Sequence, residues 1–229
     1  NEQITDRLNE WRYNDSSEYN ITTLRDTSDN NTILLDEFLR ADLSIASHRM
    51  MGYVQNSRRL SYKNNARITA GVRSHYWTYN RENVISPRAQ FSFEPNKAYN
   101  DSLEEDAHDS RLKGDWILKF ATGFYYQPPF YRELRNLNGV LNPNLRAQQS
   151  IHFVLGGDLN FEAWNRPFKF TSEVYYKHLD RLVPYVIDNV RIRYLAENSG
   201  QGYATGLDAR VNGEFIEGIE SWFNFSLLH

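Results

Sequence analysis

The chain has 229 residues, enough to bury one domain's core without requiring a second domain. Its 26 Lys and Arg against 29 Asp and Glu leave a formal charge of −3, so no net field favours nucleic acid or anionic lipid. The absence of cysteine excludes disulfide frameworks, thiolate metal sites and cysteine nucleophiles.

The first residues, NEQITDRLNEW, carry no basic and apolar leader pattern, and no window approaches about 18 consecutive apolar residues. Neither a signal peptide nor a membrane helix is predicted. Mean hydropathy is −0.68, a value that does not separate a water-soluble chain from a membrane β-barrel, because such a barrel turns only every second side chain to lipid. Aromatic residues are abundant, with 15 Tyr, 13 Phe and 5 Trp, and they recur at intervals of two. Period two is the spacing of a strand with one apolar side.

In chain order, a weak strand is predicted near Ser47–Ser57, with Met50 and Val54 against Arg49, Tyr53 and Gln55. From Ala66 to Tyr79 one parity reads Ala66, Ile68, Ala70, Val72, Ser74, Tyr76, while the other carries Arg67, Arg73 and His75. Further strands follow the same rule: Pro87, Ala89, Phe91, Phe93; Trp116, Leu118, Phe120, Thr122, Phe124; Ile151, Phe153, Leu155, Gly157, Leu159, Phe161. The last three are Phe168, Phe170, Ser172, Val174, Tyr176; Tyr203, Thr205, Leu207, Ala209, Val211, Gly213, Phe215; and Ile219, Phe223, Phe225, Leu227. None of these apolar parities contains Lys, Arg, Asp or Glu. Several runs match the roughly 9–11 residues a tilted strand needs to cross a bilayer, and globular strands average about 5–6. Tyr76, Tyr79, Phe168, Tyr203 and Phe215 sit near the ends of the runs, as interfacial aromatic girdles do. Short connections are predicted at Asn80–Asn83, Ala163–Pro167 and Glu217–Gly218, and long ones at Arg12–Asp42, Asn96–Gly114, Gln127–Arg146 and Arg181–Gly202. Strand counting puts the acidic 96–114 insertion, with SLEEDAHDS, at the end of the short turns.

From residue 47 onward, the segments GVRSHYWTYNRENVISPRAQFSFEP, LKFATGFYYQPPFYREL, LNPNLRAQQS, LGGDLNF, FTSEVYYKHLDRLVPYV and ENSGQGYATGLDARV follow one another. Their order resembles the C-terminal half of a TonB-dependent receptor barrel, over roughly Ser47–His229. Pro87 is expected in the first turns of its strand, where a missing N–H is tolerated. Pro128 and Pro129 are expected to stop a strand at the barrel rim. Leu141–Leu145 reads as a turn, and Gly206 as space on the lumen side.

The resemblance implies an all-β, antiparallel up-and-down transmembrane β-barrel in the bacterial outer membrane, present here as a partial barrel of about eight or nine long strands. Residues 1–229 are then one barrel segment; no plug-like region precedes the strands, and the final SLLH lacks the expected terminal aromatic. Such a segment is expected to be internal and unable to transport by itself. The implied function is TonB-coupled uptake of a scarce ligand, such as an iron chelate or a glycan. The implied partners are outer-membrane lipid, the TonB complex through an N-terminal region, and the small-molecule or oligosaccharide ligand; a surface lipoprotein stays open, and nucleic acid is not expected.

Ligand contacts in such receptors come from loop and lumen side chains, which makes Tyr125, Tyr126, Arg132, Glu133, Arg135 and Asn136 the candidates here. The alternative is that they only hold the loop together. His48, His75, His108, His152, His178 and His229 show no paired metal-site spacing, so no metal or cofactor is expected. Asp158, Glu162 and Glu173 offer carboxylates, but a barrel lumen carries such charges routinely, and no catalytic residue is assigned. A smaller outer-membrane barrel enzyme and a soluble carbohydrate-binding β-sandwich are the competing readings.

Overall fold

The computed structural model describes residues 2–15, 33–103, 114–188 and 191–229. The elements in chain order are β1 (Glu2–Asp15), β2 (Ile33–Ser47), β3 (Arg49–Ser61), β4 (Ala66–Trp77), β5 (Glu82–Phe93) and α1 (Lys97–Asp101). They continue with β6 (Asp115–Gln127), β7 (Gln148–Ala163), β8 (Arg166–Leu182), β9 (Tyr185–Asp188), β10 (Arg191–Tyr194), β11 (Gly200–Ile216) and β12 (Ile219–Leu228). The fold is all-β. An 8-stranded antiparallel sheet runs β12-β11-β8-β7-β6-β5-β4-β3, while β1-β2 and β9-β10 are separate hairpins.

Every strand expected from alternation lies in the large sheet. The expected long connection Arg12–Asp42 is corrected in part: β1 runs on to Asp15, and β2 begins at Ile33. β1 escapes a period-two reading because one parity, Glu2, Ile4, Asp6, Leu8 and Glu10, mixes acids with aliphatics, and the other is almost wholly polar; in β2, by contrast, Leu39, Ala41, Leu43 and Ile45 do alternate with Arg40, Asp42 and Ser44. The stretch 16–32 of that connection, and residues 104–113 of the acidic insertion with His108, lie outside the described residues. Arg181–Gly202 is likewise shortened, since β8 continues to Leu182, β11 starts at Gly200, and the β9-β10 hairpin lies between.

The short turns after β3, β7 and β11 lie at one end of the sheet, together with the 94–114 connection. The opposite end carries the long 128–147 and 183–199 connections, the 78–81 turn and the base of the β1-β2 hairpin. We call these the turn end and the loop end. The β7-β8 turn places Trp164 and Asn165 at φ 52 and 56, the two positive values that a two-residue type I′ hairpin requires.

Register converts the alternation into transverse rows. Ile68, Phe91, Phe120, Leu155, Val174, Leu207 and Leu227 are paired in succession across seven strands. That row starts near the turn end of β4 and finishes near the loop end of β12, so the strands are staggered in one direction. Stagger of this kind accompanies the tilt by which a sheet closes into a barrel. On the apolar face, the alternate positions Ile68–Tyr76, Ile85–Phe93, Trp116–Phe124, Ile151–Phe161, Phe168–His178, Tyr203–Gly213 and Ser221–Leu227 contain no Lys, Arg, Asp or Glu. Arg58 on the edge strand β3, opposite Ile68 and three residues from the strand's end, is the exception.

Exposure is inverted relative to a water-soluble sheet. Leu155 is 61% exposed, Val174 52% and Leu227 61%, whereas Asp158 on the opposite face is 6% exposed. Asp158 accepts a 2.7 Å hydrogen bond from Lys119 Nζ and faces Lys169 Nζ at 3.5 Å. Among the described residues no second layer covers the apolar face.

Pro87 sits in mid-strand rather than in the first turns of β5. Its missing N–H is accommodated because the β5-β6 ladder begins only at Arg88 paired with Gly123, while Pro87 pairs with Val72 of β4 alone. At the turn end, Gly213 lies opposite Phe168, and a Cβ there would stand 2.2 Å from the ring. Phe168 is buried and held edge-on by Trp164 and Phe215, so it cannot swing aside. Gly213→Ala should therefore destabilise the β8-β11 pairing by about 1–3 kcal/mol, measured by equilibrium unfolding, with the wild-type unfolding slope retained.

Candidate functional site

Among the described residues the cluster of buried apolar side chains lies at the loop end and not across the faces of the large sheet: Ile45 of β2, Trp77 at the end of β4, and Leu134, Leu145 and Val183 of the connections, with Tyr79, Tyr131, Leu141 and Tyr194 packed around them. Trp77 is its hub. The indole Nε1–H donates to Ser47 Oγ at 3.1 Å, its ring lies 5.3 Å from Tyr79 and edge-on to Tyr131 at 6.3 Å, and the Arg49 guanidinium sits 4.4 Å above it. Arg49 Nε also pairs with Glu2 at 3.1 Å, and the Tyr131 hydroxyl donates to the same carboxylate.

The β1-β2 hairpin is thus pinned at its base to β4 and to the 128–147 connection. Its inner face continues the contact, because Gly139 approaches Leu39 and Ala41 so closely that a Cβ would stand 3.2 Å from each. Glu10 pairs with Arg191 at 3.8 Å, Arg193 donates to the Leu137 carbonyl at 2.8 Å, and Asn142 donates to the Ala196 carbonyl at 2.8 Å. Glu82 receives the Ala147 N–H at 2.8 Å, stitching the end of the 128–147 connection to the start of β5. The loop end is a cross-tied layer.

Burial, and after it the hydrogen bond to Glu2, hold the Tyr131 hydroxyl above the ordinary tyrosine range. A folded-state value above the unfolded one means that this contribution is complete below the unfolded value and is lost as pH rises through the folded one. Thermal unfolding followed between pH 8 and 11 should show an alkaline loss of stability that is smaller in Tyr131→Phe.

The structure divides the six candidates. Glu133 is buried and accepts from the Phe130 N–H at 2.8 Å and from Gln148 at 3.1 Å, so it holds its own loop. Asn136 Oδ1 caps the next turn by accepting the N–H groups of Asn138 and Val140, each at 3.0 Å. Arg135 forms a backbone bridge with Leu141. The Tyr126 hydroxyl accepts from Gln149 at 3.0 Å, and the Arg181 guanidinium lies 5.4 Å above its ring. Arg132 is exposed on the loop. Tyr125 alone joins a cluster on the polar face: it stacks on His152 at 4.3 Å and carries Arg88 at 5.4 Å.

That cluster includes residues no single-strand pattern distinguishes. Register aligns Gly71, Arg88, Gly123, His152, Lys177 and Ala204 in one row, with Arg73 two positions further along β4. Arg73 and Arg88 line a 370 Å³ cleft together with Met51 and Gly71. Gly206, expected to leave space on this face, does so for the Tyr175 ring, which a Cβ there would meet at 2.5 Å. Among the described residues no group of three or more His, Asp or Glu is placed to hold a metal ion.

The chain matches no protein-family model, and no curated protein is significantly similar to it in sequence. The functional reading therefore rests on the chain's own residues.

Proposed function

We propose that this chain forms part of the wall and the outer loops of a bacterial outer-membrane β-barrel receptor resembling the TonB-dependent receptors, and that it serves uptake of a small ligand. The observation that carries the reading is the inverted sheet: its apolar face, uncharged apart from Arg58 on the edge strand, is open, and its other charges are gathered on the opposite face. On β7 the apolar positions run from Ile151 to Phe161, a span of ten residue-to-residue steps. At about 3.4 Å per residue and a tilt of about 45°, they cover roughly 24 Å of membrane depth, against an apolar band of about 25 Å in outer-membrane barrels. Aromatic residues Phe124, Tyr176 and Tyr203 toward the loop end, and Trp116, Phe161, Phe168 and Phe215 toward the turn end, suit the two interfaces. Arg58 lies close enough to its strand's end for its stem to carry the charge to the interface.

In this reading the loop end faces outward and the turn end faces the periplasm. Barrel closure is obligatory in lipid, so the edges of β3 and β12 are where further strands join. Energy coupling through TonB is part of the proposal and would act through segments outside the sheet. A soluble β-sandwich would need a second sheet over Leu155 and Val174.

The test is fractionation of the expressed full-length protein. Resistance to carbonate extraction and a heat-modifiable mobility of the detergent-solubilised protein are expected. Release as a soluble monomer without detergent would overturn the reading.

A further inference from the structure

Among the described residues, some cations of the large sheet are matched by carboxylates. Lys119 and Lys169 share Asp158, Arg166 pairs with Glu217, and Arg181 lies between Glu82 and Asp180. Of the polar-face cations without one among the described residues, Arg59, Arg67 and Arg210 lie toward the turn end, whereas three others gather around the row through Arg88, His152 and Lys177. Arg73 donates to Met51 Sδ at 3.3 Å, Arg88 lies over Tyr125 at 5.4 Å, and Lys177 lies over Tyr175 at 4.9 Å. Among the described residues none of the three has a carboxylate within ion-pair distance. The physical difference matters, because an aromatic ring or a thioether orients a cation without cancelling its charge, whereas a carboxylate does both.

We propose that Arg73, Arg88 and Lys177, with His152 between the last two, form a binding strip for a small polyanion whose carboxylate or phosphate oxygens supply the missing counter-charge. The assignment rests on the polar face being the barrel lumen, and it narrows the ligand class of that site. Arg88, His152 and Lys177 occupy one register row, and Gly123, the residue between Arg88 and His152, puts no side chain in the way. Neighbouring strands stand about 4.8 Å apart, so Arg88 on β5 and Lys177 on β8 are separated by roughly 14 Å. That span, shortened by the reach of both side chains, suits a ligand with at least two anionic groups and not an ion with a single one. Tyr125 and Tyr175 act as positioning residues, holding the cations upright from one face and leaving guanidinium and ammonium donors free.

Calorimetric titration of the full-length protein in detergent micelles at low salt tests the strip. The probes are citrate, inorganic pyrophosphate and neutral maltotriose. At least one of the two anions should bind more tightly than maltotriose, and the preferred one tells a polycarboxylate ligand from a phosphorylated one. Arg88→Gln and Lys177→Gln should each weaken that binding about tenfold or more. The pair Arg88→Lys with Lys177→Arg should retain most of it, and Lys119→Gln with Lys169→Gln should leave it unchanged. Anion binding no tighter than maltotriose binding, or equal in the Arg88→Gln and Lys177→Gln proteins, would overturn the proposal. Heat-modifiable mobility of each variant reports folding and membrane character separately, so loss of the strip and loss of the membrane reading give different results.

Discussion

Leu155→Arg is expected to cost about 2–4 kcal/mol of folding free energy in a lipid bilayer, the penalty for a cation at mid-depth on a barrel's lipid face. The same exchange at a side chain 61% exposed to water would change stability by no more than about 0.5 kcal/mol. The two environments thus predict effects that differ several-fold. Leu155 stands in the middle of β7, between Phe120 and Val174, with no charged neighbour on its face. An arginine there must either desolvate or drag water and headgroups inward. Gln90→Arg is the matched control, since Gln90 is exposed on the polar face next to Phe91 and should tolerate the cation. Phe161→Arg, near the turn end, should cost only about 0–1 kcal/mol because its guanidinium reaches the interface. Denaturant titration in vesicles measures all three, and equal costs for Leu155→Arg and Gln90→Arg would contradict a lipid-facing β7.

Trp77→Ala should be the most damaging single change at the loop end, at about 3–5 kcal/mol. Trp77 is 1% exposed, and its loss leaves a cavity among Ile45, Leu134, Leu145 and Val183, strips Arg49 of the nearer of its two aromatic partners and frees Ser47. The damage should stay local, because the strand ladders β5 to β12 do not pass through Trp77. Hydrogen exchange should therefore accelerate in β1, β2 and residues 128–147, while protection in β7 and β8 remains. Trp77→Phe, which keeps a ring and loses the Ser47 hydrogen bond, should cost about 1 kcal/mol beyond its smaller packing loss. Uniform loss of protection across the sheet would mean that the loop-end layer and the sheet fold as one unit.

The strands β4 to β8, β11 and β12 of the large sheet were legible because one parity of each is uninterrupted by charge, a signal as clear at Leu155 as at Leu207, whereas Arg58 weakens it on β3. Register was not legible. The positions 88, 152 and 177 meet only because each hairpin fixes which residues oppose one another, and a slip of one residue would turn every side chain to the other face. Arg88, His152 and Lys177 therefore went unrecognised as a group, although each stands on a polar parity. The loop-end core was hidden for a related reason: Leu134, Leu145 and Val183 are isolated apolar residues in connections without periodicity. Glu133 and Asn136 are ligand-contact candidates by residue type, yet Asn136 Oδ1 accepts backbone N–H groups of its own turn, and the Glu133 carboxylate accepts the Phe130 N–H and the Gln148 side chain.

In the proposed barrel the apolar face of the sheet meets lipid and the polar face meets water. The absence of cysteine lets one cysteine be introduced at each position from 150 to 162 and spin-labelled uniquely. In protein reconstituted into vesicles, oxygen accessibility should peak at 151, 153, 155, 157, 159 and 161, and a water-soluble nickel chelate should reach the positions between them. Nickel accessibility at 153, 155 and 157 equal to that at their neighbours would place both faces of β7 in water and contradict the account.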